Sequence, residues 1–235
     1  LARLRSKSKR DDKSPLSIAT VNRELSLLRR MLSIARQQRW VIENPFKFGE
    51  ALITPAAEKH RERVLTRDEE TKVFAECQGP REHLRGIILC ALDTGMRRGE
   101  ILLLRWQDVD LKAGLLNVEA MHTKTLRERA LALSERLTVE LKRLQAQAKP
   151  QPTDRVFGLA DNFKRSFKTA CKNAGITDLR FHDLRHTFAT RLAEKGMSSD
   201  LIARLLGHSQ QRTTYRYLNI TEDTARKAVE LLESE

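Results

Sequence analysis

The chain has 235 residues, of which 40% are hydrophobic and 32% are charged, a composition typical of a globular protein in solution. Its 44 Lys and Arg residues outnumber its 31 Asp and Glu residues, and the surplus of +13 predicts a polyanionic partner, because phosphates bound by Lys and Arg release counterions. The sequence has no apolar run near the ~20 residues that span a bilayer. Its three cysteines are far apart and form no CxxC pair, which argues against a disulfide framework. We therefore expect a cytoplasmic protein that does not bind a membrane.

The first 61 residues are the most basic part of the chain, with +8 of the net charge. Apolar residues recur there at three- and four-residue steps from Ile18 to Ala35, which predicts a helix with Ser17 as its N-cap and an exit at Asn44-Pro45. One helix cannot enclose a core, so it either packs on the rest of the chain or had partner helices upstream. The chain starts without an apolar signal core or an initiator Met, and we expect it to be a fragment.

Further along, helices are predicted to alternate with one short stretch of strands. A capping box from Thr66 to Glu69 opens a helix, and a second helix runs from Arg81 to Asp93 before Thr94-Gly95 stops it. Partial alternation of apolar residues then predicts a small antiparallel sheet from three runs, Trp106–Leu111, Leu115–Glu119 and Arg129–Leu133.

The remaining sequence has helical periodicity. Gly175 and Gly196 follow two of the predicted helices as C-cap residues. The predicted helices are Ser134–Ala146, Asn162–Asn173, Leu184–Lys195, Asp200–Leu206 and Thr221–Leu232. The expected fold class is therefore mainly α with a small antiparallel β-sheet (α+β).

Four short segments concentrate residues that carry chemistry. They are Thr-Gly-Met-Arg-Arg-Gly-Glu at 94–100, His-Thr-Lys-Thr at 122–125, His-Asp-Leu-Arg-His at 182–186 and Leu-Gly-His-Ser at 206–209. Tyr217 follows His208 by nine residues, and Tyr215 is the only other tyrosine in the chain.

This set of residues suits the cleavage of a phosphodiester. The guanidiniums of Arg97 and Arg185 match the geometry of a phosphate and would stabilise the charge that builds on its oxygens. A tyrosine hydroxyl can then attack the phosphorus, provided that a base such as His182 takes its proton. Lys124 is a candidate proton donor for the leaving oxygen. His208 is a candidate donor of a further hydrogen bond to the phosphate.

Each residue also has a simpler explanation. An arginine in a basic protein is usually solvated or paired with a carboxylate, and a tyrosine in a late helix usually packs. His182 and His186 have a zinc-ligand spacing, but the Glu of a hydrolytic zinc motif is missing between them, so we expect no metal site. The order and spacing of the segments are what indicate function.

These segments resemble the motifs of the tyrosine recombinase, or phage integrase, family. The similarity extends over residues 62–235, and residues 94–100, 182–186, 206–209 and the Thr-Thr-Tyr-Arg-Tyr ending at 213–217 carry it. A weaker similarity upstream resembles the end of the helical core-binding domain of the family. The resemblance implies a partial core-binding domain at 1–45, a linker at 46–61 and a catalytic recombinase domain at 62–235.

The resemblance further implies site-specific DNA recombination through a 3′-phosphotyrosyl intermediate, with no cofactor and no metal, by an integrase of a phage or mobile element. The catalytic residues would be Arg97, Lys124, His182, Arg185, His208 and Tyr217, and Glu100 and His186 would support them. The implied partners are double-stranded DNA, three further copies in a homo-tetramer on paired recombination sites, and accessory DNA-bending proteins. The implied location is cytoplasmic and nucleoid-associated.

Some alternatives remain open from the sequence. Tyr215 is close enough to be the nucleophile. In place of the Gly-Lys-Gly turn common in Xer-type members, this chain has His-Thr-Lys-Thr around Lys124. A type IB topoisomerase or a telomere resolvase would use similar chemistry. A non-enzymatic helix-turn-helix regulator would use the two helices that flank Gly196.

Overall fold

A computed structural model describes residues 16–48, 51–58, 61–119, 128–158 and 163–207. The chain divides into two compact units, the first ending at Arg61 and the second beginning at Glu62. Across these described ranges, we find no helix with the length and apolar character needed to cross a membrane.

The first unit is built on one long helix, α1 (Ile18–Gln37). The hydroxyl of Ser17 accepts a hydrogen bond from the backbone N–H of Thr20 at 3.2 Å, which confirms the predicted N-cap. The apolar stripe is buried only near its start, at Val21 and Leu25, whereas Leu28 is 45% exposed.

The segment predicted as a linker packs on α1. It contains two 3-10 helices, Pro45–Lys47 and Pro55–Ala57. The side chain of Asn22 donates to the Thr54 carbonyl at 3.0 Å and to a Glu58 carboxylate oxygen at 2.9 Å, and it accepts from the Thr54 N–H at 3.2 Å. These bonds fix residues 54–58 against α1, while the assignment of 1–45 and 46–61 to separate roles stays a prediction.

The second unit is mostly helical. Its described helices are α2 (Arg67–Ala75), α3 (His83–Thr94), α4 (Arg98–Leu103), α5 (Glu135–Ala148), α6 (Lys164–Asn173), α7 (Phe181–Glu194) and α8 (Ser199–Leu206). A sheet lies between α4 and α5 in the chain and consists of β1 (Val109–Asp110), β2 (Leu115–Val118) and β3 (Arg129–Ala132). All pairings are antiparallel in the order β1-β2-β3, with Leu116 opposite Leu131. The predicted fold class is confirmed.

The structure differs from the predicted elements at three places. Residues Trp106–Asp108 form a 3-10 helix instead of strand. Helix α4 was not predicted, and α7 begins at Phe181 rather than at Leu184. In each case an acidic side chain accepts a hydrogen bond from the backbone N–H three residues earlier, which starts a helical turn without an apolar period. The carboxylates are Asp108, Glu100 and Asp183, at 2.9, 2.8 and 2.7 Å respectively.

Other local predictions are confirmed. Thr66 and Glu69 exchange both hydrogen bonds of the capping box that starts α2. Gly95 ends α3 in the left-handed conformation, with φ of 63°. Gly175 and Gly196 also have positive φ just beyond α6 and α7. The predicted helix Thr221–Leu232 lies outside the described residues.

The core of the second unit surrounds α3, which packs against α5 and α7. Its residues Leu84, Ile87 and Ile88 are fully buried, and each such side chain contributes about 1.5–3 kcal/mol relative to exposure. The three cysteines are free and buried, and burial raises the pKa of the Cys90 thiol to about 12. This core holds α3 and α7 together, and a second buried cluster packs α8 against α7.

Candidate active site

Arg97 lies in the short connection between α3 and α4. The connection leaves α3 at Gly95, where a Cβ atom would clash with the Phe188 ring and lie 2.8 Å from Leu206. Only glycine fits this close approach and the positive φ together. Gly95 therefore lets the chain turn tightly against α7 and α8 and brings Arg97 to their side.

Glu100 holds Arg97 in place. Its carboxylate accepts from the Arg97 backbone N–H at 2.8 Å and from Arg97 Nη1 at 2.8 Å. The Glu100 side chain is only 1% exposed. Burial alone would raise the pKa of Glu100, but the hydrogen bonds and charges of Arg129, followed by those of Arg97, outweigh it and hold the pKa below its ordinary value. The supporting role of Glu100 in catalysis stays a prediction.

Arg185 is nearly buried, with 3% of its surface exposed. Its Nη1 donates to the Gly95 carbonyl at 2.7 Å, and its Nη2 donates to the Leu206 carbonyl at 2.8 Å. The side chain thus connects the end of α3 to the end of α8. A guanidinium fixed from two sides loses little freedom when it binds an anion.

The two predicted phosphate-binding arginines meet at the end of α8. Arg97 Nη2 donates to the carbonyl of Gly207 at 3.1 Å, and Gly207 follows Leu206, the acceptor for Arg185. The Arg97 side chain is 25% exposed, so it remains partly accessible to solvent. Two fixed positive charges from distant parts of the sequence therefore lie within one small region.

His182 lies on the first turn of α7, where the positive charges of Arg185 and Arg97 influence its pKa. Burial is the largest cause that lowers the pKa of His182, and the positive charge of Arg185 lowers it further, against an opposing effect from Asp183. The neutral imidazole is therefore favoured, and it can accept a proton. Burial likewise lowers the pKa of His186, against Asp183 and the backbone of Glu62.

A metal site was not expected at His182 and His186. In the parts of the second unit and of the first that the structure describes, no group of three or more His, Cys, Asp or Glu side chains is arranged to hold a metal ion. Asp183 uses its carboxylate to accept from the Arg180 N–H.

Three of the six predicted catalytic residues, Lys124, His208 and Tyr217, lie outside the described residues, as does Tyr215. The structure brings the other three, Arg97, His182 and Arg185, together. Lys124 falls in the sequence between β2 and β3, and His208 directly follows Gly207. The catalytic roles of all six remain predictions.

Sequence reasoning missed Arg129. This residue begins β3 and binds Glu100 with Nη2 at 2.6 Å. Its side chain is 8% exposed, and along β3 it shares the inward face with buried Leu131. A buried arginine is usually paired with a carboxylate. The alternation of β3, which places Arg129 on the inward face, was therefore the sequence signal that could have identified this residue.

The sequence profile of the phage integrase family matches residues 63–223, which is more than half of the chain. The chain belongs to the phage integrase family.

Curated relatives of this integrase-family chain include the shufflon-specific DNA recombinase of Escherichia coli, 32% identical over 88% of this chain and 52% of the relative. Tyrosine recombinase XerA of Saccharolobus solfataricus is 32% identical over 73% of this chain and 57% of the relative. The chain thus spans about half the length of the curated relatives it matches.

The fold is also similar to that of solved structures. A Tn1549 transposon integrase in complex with transposon right end DNA has a TM-score of 0.78, with 22% sequence identity over 93% of this chain and 81% of that one. At this identity the likeness concerns the fold. It agrees with a mainly helical family fold that carries one small antiparallel sheet.

Proposed function

We propose that this integrase-family chain is the catalytic portion of a site-specific DNA recombinase that cleaves and rejoins strands through a 3′-phosphotyrosyl intermediate. The observation that carries the proposal is the meeting of Arg97 and Arg185 at the end of α8, next to a His182 imidazole whose pKa is lowered. Two guanidiniums can stabilise the charge that builds on a phosphodiester under attack, and a neutral imidazole can take the proton of the nucleophile.

In the cleavage step, the Tyr217 hydroxyl oxygen attacks the phosphorus of the DNA backbone while the neutral imidazole of His182 takes its proton. Arg97 and Arg185 bind the non-bridging oxygens and stabilise the charge that grows on them, and His208 donates a further hydrogen bond. The bond from phosphorus to the 5′ oxygen breaks, and Lys124 gives that oxygen its proton.

In the rejoining step, a 5′-hydroxyl of another strand gives its proton to the now neutral Lys124 amine and attacks the phosphotyrosyl link. Tyr217 leaves with a proton returned by His182. One phosphodiester bond is broken and one is formed over the cycle. The phosphotyrosyl link keeps the free energy of the broken phosphodiester bond. The reaction proposed for these residues therefore uses neither a nucleotide cofactor nor a metal ion.

The proposed partner is double-stranded DNA, supported by the net charge of +13 and by a related integrase fold solved with transposon DNA. We further propose a homo-tetramer on paired recombination sites, with assistance from DNA-bending proteins and a cytoplasmic, nucleoid-associated location. The basic first unit would act as the end of a core-binding domain and contact phosphates without reading bases.

The alternative functions have less support. A helix-turn-helix regulator could use α7 and α8, but it has no need for an Arg185 that is 3% exposed and joined to two backbone carbonyls. A type IB topoisomerase would share the cleavage step and would relax supercoiled DNA that lacks a specific site. Supercoil relaxation without strand exchange would favour that alternative.

The experiment that tests the proposal compares two matched tyrosine variants. The chain is incubated with nicked duplexes of randomised central sequence, from which the 5′-hydroxyl fragment diffuses away and traps the covalent complex. We expect Tyr215→Phe to form the complex and Tyr217→Phe to form none, because only the latter lacks the nucleophile. A covalent complex formed by Tyr217→Phe in a denaturing gel would contradict the assignment.

A further inference from the structure

Three arginines bind the end of α8, one to each of three consecutive carbonyls. Arg129 Nε donates to Leu205 at 2.8 Å, Arg185 Nη2 donates to Leu206 at 2.8 Å, and Arg97 Nη2 donates to Gly207 at 3.1 Å. The last carbonyls of a helix have no partner within the helix and carry its negative dipole end, so cations are stabilised there. Two of these arginines are predicted catalytic residues, and the third is unassigned.

Arg129 also binds the carboxylate that positions Arg97. Its Nη2 lies 2.6 Å from Glu100 Oε2 and its Nη1 lies 3.4 Å from Glu100 Oε1, while Arg97 Nη1 lies 2.8 Å from Glu100 Oε1. Glu100 is thus shared between the two guanidiniums. With Arg129 8% exposed and Glu100 1% exposed, water does not compete for these bonds as it does at a surface pair.

The backbone of Gly207, which directly follows α8, packs against the same side chain. Gly207 has φ of 64°, and a Cβ atom there would lie 2.9 Å from Arg129 Nη1. The Arg129 guanidinium therefore packs directly against the Gly207 backbone, whose carbonyl binds Arg97. Arg129 thus contacts Glu100, Leu205 and Gly207. Two of these residues, Glu100 and Gly207, are also the hydrogen-bond partners of Arg97.

We propose that Arg129 is a positioning residue for DNA cleavage: it fixes Glu100 and the end of α8, and through them the orientation of the Arg97 guanidinium. The inference rests on the proposed function, since it concerns the geometry of that reaction. Without Arg129, Glu100 keeps one cationic partner and the Leu205 carbonyl loses its side-chain donor. The Arg97 guanidinium then samples orientations that do not match the phosphate, which slows cleavage without removing the DNA-binding surface.

The test measures single-turnover cleavage of the nicked duplexes as a function of protein concentration, which separates the maximal rate from the concentration at half-maximal rate. Arg191 offers a matched control, because it also binds one buried glutamate, Glu70, at 2.6 Å and one backbone carbonyl, Leu65, at 3.0 Å. We expect Arg129→Gln to lower the maximal rate about 100-fold, as a small misplacement of a catalytic group does, with an unchanged half-maximal concentration. Arg191→Gln should retain the wild-type maximal rate.

Arg129→Lys is a second variant for the case that Arg129→Gln does not fold. It keeps the positive charge and loses only the planar guanidinium that reaches both Glu100 and Leu205. We expect its maximal rate to lie between those of Arg129→Gln and the wild type. Equal maximal rates for Arg129→Lys and the wild type would overturn the proposal, as would a loss of DNA binding in step with the loss of cleavage in both variants. A wild-type chain that does not cleave would instead contradict the proposed function, so the two failures are distinguishable.

Discussion

Two buried glutamates of the second unit, Glu70 and Glu100, each bind arginines from separate elements, but their surroundings differ. Glu70 on α2 pairs with Arg136 of α5 and Arg191 of α7, each at 2.6 Å. Glu100 pairs with Arg97 at 2.8 Å and Arg129 at 2.6 Å.

The difference lies in what else the arginines touch. Arg191 also binds the Leu65 carbonyl and Arg136 also binds Asp93, so the Glu70 network joins elements of the fold to one another. Arg97 and Arg129 both bind the end of α8, the last described stretch before His208. The same chemical arrangement therefore fixes the fold at one place and orients candidate catalytic groups at the other. This comparison predicts that equivalent substitutions in the two networks will separate stability from cleavage.

The largest expected effect follows replacement of Arg185, which belongs to the α8 end, compared with Arg136 of the Glu70 network. Arg185→Lys keeps the charge but cannot bind the Gly95 and Leu206 carbonyls and a phosphate with one planar fork. We expect its single-turnover cleavage rate to fall about 1000-fold, the upper range for loss of one fixed donor to a transition-state oxyanion. Arg136→Lys should cleave at the wild-type rate, and a similar rate loss in both variants would contradict the comparison.

A smaller effect is expected when each carboxylate is neutralised. Glu100→Gln leaves two guanidiniums without their buried counter-charge and should lower the free energy of unfolding by about 3–5 kcal/mol. Glu70→Gln should cost less, because its partner Arg136 is 43% exposed and solvent screens that pair. Chemical denaturation measures both.

The cleavage rates of Glu100→Gln and Glu70→Gln distinguish the functions of the two networks. Under conditions where both are folded, only Glu100→Gln should cleave more slowly, by about 10- to 100-fold, because Arg97 loses its fixed orientation. A Glu70→Gln variant that is folded and equally slow would show that the two networks do not differ in function.

The smallest expected effect is on the dependence of stability on pH. The pKa values of His182 and His186 are both lowered in the folded chain, chiefly by burial. The unfolded chain therefore binds more protons below the ordinary histidine pKa, so the free energy of unfolding should fall as the pH drops below about 6.5 towards the folded pKa values. The variant His182→Gln should show a shallower fall over this window in denaturation curves recorded between pH 7 and pH 5. An unchanged slope would contradict the lowered pKa.

The sequence predicted the parts of this molecule in which local signals agree with the fold. The Thr66 capping box and the stop at Gly95 depend on neighbours within a few residues, and both were confirmed. The starts of α4 and α7 were missed because the side chains of Glu100 and Asp183 cap the backbone, which an apolar period does not reveal.

The candidate site shows the same limit. The motif order identified Arg97, His182 and Arg185, which the structure places together. The partners that fix these side chains are backbone carbonyls of α8, and no sequence pattern indicates which carbonyl faces which arginine. Arg129 was overlooked because its partner Glu100 is 29 residues away, and only the inward position on β3 signals the pairing.

If Arg97, Arg185 and His182 form one site that joins Tyr217 to DNA, the residue that carries the DNA link must be Tyr217. The covalent complex formed by the wild-type chain on nicked duplexes is digested with protease and nuclease, and the modified peptide is sequenced by mass spectrometry. We expect a nucleotide on Tyr217, at a yield that Arg185→Lys reduces strongly. A nucleotide on Tyr215 or on any other residue, or no covalent complex from the wild-type chain, would contradict it.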